Sequence, residues 1–458
     1  MLFRRHAKYY AAISIKTSDK LRSIAPMNSA KQLKIVYSSA PVDATSVYMH
    51  WVLGQDDPSH FAITYAQHFY ELARKFNAKS WLISSRDKKG FIQDNDFRVE
   101  FRSLKHHSRS SLAYFVGQFW SGLRLIISTI LFRADILIVT EDRTFWFLLS
   151  ILPWLGVKVI PTIHCTLWPK YKQPSAVQRI IQKLNSWFFQ HSCVEICVVS
   201  EDIKDQIVKI TNGRSRPIRT FVPAYRQDFL NDVQIQHRNP DPETFHVLFA
   251  GRVETSKGIY LLLEVAKRFI AVRPDCVFHI CGTGSQVENL KAAALEVGIE
   301  KQFVLHGHCD RNQLRKMYEL SHVIAVPTTK DFVEGFNKVV AEGVIMGKPI
   351  VTSPVCPALS VVREAAVEVR PDNVDDYLNA ILKLATDKDF YRQKQKNAVA
   401  LREQFFAYSN SWEAQVEDVV QKICRNNPNL DKYGQKAAHR PRLTTDSKPN
   451  FVTQESNG

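Results

Sequence analysis

Short apolar runs alternate with amphipathic stretches of helical period along this chain, and the alternation runs twice, once on each side of a polar, proline-bearing segment at 231–243. Repeated strand–helix units of this kind can bury themselves only as a mostly parallel sheet covered on both faces. The first series has strands at 33–38, 81–84, 135–140, 157–163 and 194–200, with helices expected over 60–77 and 176–190. In the first of those helices Tyr65, Phe69, Leu72, Ala73 and Phe76 share one face. The second series has strands at 245–250, 277–280, 303–305, 323–326 and 349–352. Its punctuation is explicit. Ser285 with Glu288 and Asp310 with Gln313 read as capping boxes, and Gly298 and Gly347 stand where glycines end helices. The fold class is therefore α/β, with two tandem Rossmann-like, doubly wound domains, and an interdomain cleft is expected between them.

The organisation reads as a basic arm over 1–32, a front domain over 33–230, a rear domain over 244–404 and a polar, disordered tail over 425–458. Of 458 residues, 45% are hydrophobic and 23% charged, which excludes a globally disordered chain. The net charge of +16 is unevenly spread. Residues 1–240 hold 33 Lys and Arg against 18 Asp and Glu, whereas residues 241–458 hold 28 against 27. The front half thus suits an anionic partner such as a membrane surface. No groove-reading motif or aromatic-basic repeat points to nucleic acid. Eight scattered cysteines make neither a disulfide framework nor a zinc site, so reduced thiols and a cytoplasmic protein are expected. The apolar stretches at 111–132 and 145–163 are interrupted by Arg124, and by Pro153, Gly156 and Lys158. They read as buried helix and strand of a large core, not as membrane spans.

In open parallel sheets ligands sit at the carboxyl ends of strands, which selects three places. After the strand at 245–250 come Gly251, Arg252, Lys257 and Gly258, two cations ahead of a helix start, a pattern suited to an anion. Between the fourth and fifth rear strands lie Glu334, Gly335, Phe336 and Asn337, then Glu342 inside a helix that stops at Gly347. The amides of Gly335, Phe336 and Asn337 would face phosphate or hydroxyl oxygens, while the two carboxylates would accept from hydroxyls. Carboxylates beside an anion site suggest a ligand with both sugar and phosphate. The third place is His164, at the end of a front strand.

Taken in order, Gly251-Arg252, Lys257-Gly258, Glu334-Gly-Phe-Asn, Glu342 and Gly347-Lys-Pro resemble the retaining glycosyltransferases of family 4, which have the GT-B fold; the resemblance implies a closing helix over 405–424 that crosses back to the front domain. The resemblance implies transfer of a sugar from a UDP- or GDP-sugar to a glycan or lipid-linked acceptor, in cell-surface polysaccharide or glycolipid synthesis, without a metal or other cofactor. It implies that Arg252 and Lys257 neutralise the donor diphosphate, and that Glu342 accepts from the ribose. Glu334 and the amides of Gly335 to Asn337 would hold the donor sugar and its β-phosphate, and His164 would meet the sugar from the front domain. The first loop departs from the family, with Gly54 the only glycine between Ser38 and Asp57. A nucleotide-sugar epimerase of the same fold and a catalytically inactive nucleotide-sugar-binding module are the alternatives. The implied location is cytoplasmic, or peripheral on the cytoplasmic face of a membrane.

Overall fold

The computed structural model describes residues 32–103, 111–140, 145–227, 230 and 244–427. The basic arm up to residue 31, the polar linker at 231–243 and the tail beyond 427 lie outside the described residues. The front half runs β1 (Lys34–Ser39), α1 (Ala44–Val52), α2 (Tyr65–Lys75), β2 (Lys79–Ser84), β3 (Phe91–Gln93), β4 (Phe97–Phe101), α3 (Ser111–Leu131) and β5 (Ile136–Thr140). A 3₁₀ stretch (Trp146–Leu155) follows, then β6 (Lys158–Ile163), α4 (Ala176–Trp187), β7 (Ile196–Val198), α5 (Glu201–Thr211) and β8 (Ile218–Thr220). These eight strands form one sheet in the order β3-β4-β2-β1-β5-β6-β7-β8, parallel except for the edge pair β3–β4. Central strands are buried on both faces, as in β5, where all of Ile136 to Thr140 are enclosed. That is why they read as unbroken apolar runs.

The rear half runs β9 (Phe245–Ala250), α6 (Ile259–Val272), β10 (Cys276–Cys281), α7 (Val287–Glu296), β11 (Phe303–Gly307), α8 (Arg311–Leu320) and β12 (Val323–Val326). It continues with α9 (Lys338–Ile345), β13 (Ile350–Thr352), α10 (Leu359–Val362), β14 (Ala366–Glu368), α11 (Val374–Thr386), α12 (Lys388–Leu401) and α13 (Trp412–Arg425). Its six parallel strands follow the order β11-β10-β9-β12-β13-β14. The chain winds outward from β9 in one direction and then from β12 in the other, leaving a crevice between those two strands. The rear core of Val247, Phe278, Val323 and Ile381 lies under this sheet. Both sheets belong to one compact unit beginning at Leu33.

Several expectations change in detail. The helix expected over 60–77 is α2, started by Thr64, whose side chain accepts from the Gln67 amide. Asp310 and Gln313 do form a capping box, but Ser285 does not cap α7: its hydroxyl donates to Glu254 instead, and the helix starts two residues later. The α1 helix, the β3–β4 hairpin, β8 and β14 went unread because each is short and half-exposed, with little period to detect.

Helix α13 returns to the front half and completes its core. Trp412, Val416, Val419 and Val420 are fully buried there, with Trp412 5.4 Å from the Tyr37 ring. Beside it, Glu413 accepts from His68 at 2.9 Å and pairs with Lys75 at 2.6 Å. Burial alone would raise the Glu413 carboxyl, but the bonds from His68 and Lys75 outweigh it and hold the group below its usual range. Breaking a buried pair leaves its partners desolvated and uncompensated. Glu413→Ala should therefore lower stability by about 3 kcal/mol, read as a reduced urea midpoint with an unchanged slope.

Candidate active site between the two sheets

At the crevice between β9 and β12 a cavity of about 180 Å³ opens, lined by Gly251 and Thr328 from the strand ends and by Lys257, Glu334, Asn337 and Lys338. Lys257 reaches it because of the residue that follows. Gly258 has a φ of +76°, and a Cβ there would lie 1.9 Å from the Pro327 carbonyl oxygen. Only glycine lets α6 start this close to the end of β12. Arg252 is exposed at the rim and does not line the cavity; its guanidinium lies 5.7 Å from the Phe332 ring, which also carries Lys257 Nζ at 3.8 Å.

Helix α9 organises the opposite wall. Asn337 caps it, its Oδ1 accepting from the Val339 amide at 3.1 Å, and its Nδ2 donates to Glu334 Oε2 at 3.2 Å. Lys257 Nζ donates to the same oxygen at 2.6 Å. One carboxylate is thus fixed between a helix cap and a lysine, beside the α9 amino end where an anion is favoured. Lys257 has three N–H groups, so it can hold Glu334 and a further oxygen together. Phe336 packs against the cores of both halves. Glu342 is set back. It lies outside the cavity lining, buried, with Oε2 accepting from Tyr318 at 2.7 Å and Oε1 from Tyr225 at 3.3 Å. Burial raises its carboxyl above the usual range despite those bonds.

The front wall is a relay of hydroxyls across three strand ends. Tyr37 OH meets Thr140 Oγ1 at 3.0 Å, Thr140 meets Thr162 at 3.0 Å, and Thr162 meets His164 Nε2 at 3.3 Å. The His164 ring sits edge-on to Tyr65 at 4.1 Å. Burial, with help from the Lys338 charge, pushes His164 down to about 3, so it is neutral at ordinary pH. The two walls touch here. The Thr166 amide donates to the Glu334 carbonyl at 3.3 Å, and a Cβ on Gly335 would lie 1.5 Å from the His164 carbonyl oxygen. The glycine that the sequence marks as an amide donor is also the point where the front loop meets the rear one.

The structure gathers Lys257, Glu334, Phe336 and Asn337 on the cavity and brings Gly335 and His164 into contact beside it. Sequence reasoning missed Lys338. Its ammonium lies 5.6 Å from the Tyr65 ring, no carboxylate pairs with it among the described residues, and burial lowers it below the usual lysine range. The signal was available: a lysine in the first turn of a helix opposes the macrodipole, which is unfavourable without an anion nearby. Among the described residues no group of three or more His, Cys, Asp or Glu is placed to hold a metal ion.

Residues 231–401 match the family model described as Glycosyl transferases group 1. Among curated proteins the chain is 23% identical to a glycogen synthase of Mycobacterium tuberculosis over 210 residues, 45% of this chain and 48% of that one. It is 28% identical to a D-inositol 3-phosphate glycosyltransferase of Pseudarthrobacter chlorophenolicus over 142 residues, 30% of this chain and 32% of that one. The chain thus spans about half the length, or less, of these two relatives. Among solved structures, sucrose-phosphate synthase from Thermosynechococcus elongatus superposes with a TM-score of 0.63 at 15% identity, covering 86% of this chain and 100% of the other. The Anabaena protein HepE in complex with UDP and glucose gives 0.57 at 12% identity, covering 85% and 99%. The architecture is GT-B, and its rear domain carries the sequence pattern of group 1 glycosyl transferases.

Gly335→Ala should keep the fold and separate the two walls. Hydrogen exchange would then speed up at the Thr166 amide while the amides of β9 and β12 stay protected.

Proposed function

We propose that this protein is a retaining glycosyltransferase that moves a hexose from a UDP- or GDP-sugar to a glycan or lipid-linked acceptor at the cytoplasmic face, in the building of cell-surface polysaccharide or glycolipid. The observation that carries this reading is the Lys257–Glu334–Asn337 cluster at the amino end of α9, opening on the crevice between β9 and β12. Support also comes from the group 1 match and from the likeness to HepE, a protein solved with UDP and glucose bound.

In this reading Arg252, Lys257 and the amides of Gly335, Phe336 and Asn337 hold the donor diphosphate, with Lys338 as a further cation. Glu334 accepts from the donor sugar. Glu342 stands behind the lining, held by Tyr225 and Tyr318, and accepts from the ribose only once donor binding uncovers it. His164, neutral, hydrogen-bonds the sugar from the front wall. The bond from the anomeric carbon to the diphosphate oxygen breaks as the acceptor oxygen forms its bond on the same face. The acceptor proton passes to the departing phosphate. The growing negative charge is met by fixed cations and the helix dipole, so a divalent metal is not required.

A thermal-shift screen against UDP- and GDP-hexoses identifies the donor, and transfer of its radiolabelled sugar then tests the reading. Lys257→Ala and Glu334→Ala should fold and lower kcat by roughly 10²–10³, and a chelator should leave the wild-type rate unchanged. Wild-type turnover in either variant would overturn the site. An epimerised donor formed without acceptor would establish the epimerase instead, and tight nucleotide binding with no turnover the inactive module.

With His164 at about 3, its protonation does not enter the working range. The pH–rate profile should therefore show no limb from this residue between about pH 5 and 8. His164→Asn should lower the rate without changing the profile's shape.

A further inference from the structure

The segments that read as a buried core are covered on one side only. In the front sheet the chain moves one way from β1 to β2 and the other way from β4 to β5 and on through β8, so right-handed crossovers place α3, the 3₁₀ stretch and α4 together on the face opposite α2. Both helices contact the 3₁₀ stretch, and Gly122 lets Leu148 pack close against α3, where a Cβ would lie 2.8 Å from its side chain. The inner sides are buried, as Leu125, Ile126, Leu149 and Ile181 attest. The outer sides are also apolar. Of the 23 large hydrophobic residues exposed among the described residues, 14 lie on these three elements. In α4 they recur at Val177, Ile180, Leu184 and Trp187, an outward stripe at helical spacing. Trp120, Trp154 and Trp187 are 61%, 89% and 61% exposed. At about 200 Å² per indole those three alone present on the order of 400 Å², as much as the largest apolar patch of an ordinary monomer.

Charge decides what fits there. The three elements contain no Asp or Glu, while Arg124, Arg179 and Lys183 stand exposed among the apolar side chains, with Arg133 and Lys158 just beyond their ends. Exposed indoles on elements that carry cations and no carboxylate match the interface of an anionic bilayer, where tryptophan sits at headgroup depth and arginine and lysine meet the phosphates. A cytosolic protein partner of mixed charge would not require the absence of acids. We infer that the outer face formed by α3, the 3₁₀ stretch and α4 docks on an anionic lipid surface, inserting Trp120, Trp154 and Trp187. This inference is independent of sugar transfer, because binding is measured without donor or acceptor. It also locates a function for the basic front half that net charge alone does not. Each of the three elements follows a front-sheet strand, so its leading end lies at the carboxyl edge of that sheet, the edge that borders the cleft. A lipid-borne substrate would thus have a short path into it.

The test is flotation of the full chain with vesicles of phosphatidylcholine alone and of phosphatidylcholine and phosphatidylglycerol in equal parts. Binding should favour the anionic vesicles, weaken as salt rises, and blue-shift the tryptophan emission. Combined Trp120→Ser, Trp154→Ser and Trp187→Ser should keep the thermal midpoint and lose at least about tenfold in lipid affinity. If that variant misfolds, Arg124→Glu with Arg179→Glu and Lys183→Glu gives the same readout without touching the indoles. The inference is overturned if wild type ignores anionic vesicles, or if folded variants bind as wild type does, which would assign binding to the basic arm at 1–32. It is equally overturned if wild type is a dimer that the serine variant dissolves while vesicles are ignored, since a second copy would then cover the face.

Discussion

The ion pair between Lys257 and Glu334 is the interaction around which the crevice is arranged. Each partner arrives from a different loop, one by way of Gly258 at the start of α6 and the other on the segment that Asn337 caps into α9. In water such a pair is worth little, but here both side chains are largely enclosed, which raises the strength of each contact and the cost of leaving either alone. The pair also keeps a flexible lysine pointed at the cavity. A ligand oxygen then meets cations already in position, so little reorganisation is needed when charge develops.

The front wall answers with rigidity, not charge. A chain of hydroxyls from Tyr37 through Thr140 and Thr162 sets the His164 ring, and Tyr65 closes against it. Where this wall meets the rear loop at His164, it does so over a residue without a side chain, Gly335. Helix α13 makes the arrangement reciprocal: it follows the rear domain in the chain but is buried in the front core. Opening of the crevice must therefore involve the segments on either side of α13, whose own packing stays with the front sheet.

Much of the fold was legible because parallel, doubly covered strands have to be apolar along their whole length and their helices have to show a stripe. The strand series, the Asp310–Gln313 box and the stops at Gly298 and Gly347 follow from those local rules. Ser285 failed as a cap because Glu254, from another loop, accepts from both its amide and its hydroxyl and holds it ahead of the helix, which starts at Val287. Lys338 escaped notice because its signal is a position, the first turn of α9 against the helix dipole, and not a repeat that periodicity detects. The outward face of α3 and the 3₁₀ stretch was misread for a related reason: hydropathy records how apolar a segment is, not whether anything covers it.

The sequence by itself indicated two doubly wound sheets and which loops bring cations, amides and carboxylates to the carboxyl ends of strands, since these follow from period and helix starts. Tertiary structure alone decided that Glu334 is held by Lys257 and Asn337, that Glu342 stands back against Tyr225 and Tyr318, that Lys338 joins the site, and that three tryptophans face outward. The reason is distance along the chain. Periodicity acts over a few neighbouring residues, whereas these relations, the local Asn337–Glu334 contact apart, join side chains from tens to more than a hundred positions apart or depend on what covers a face, and they exist only once the sheets have closed.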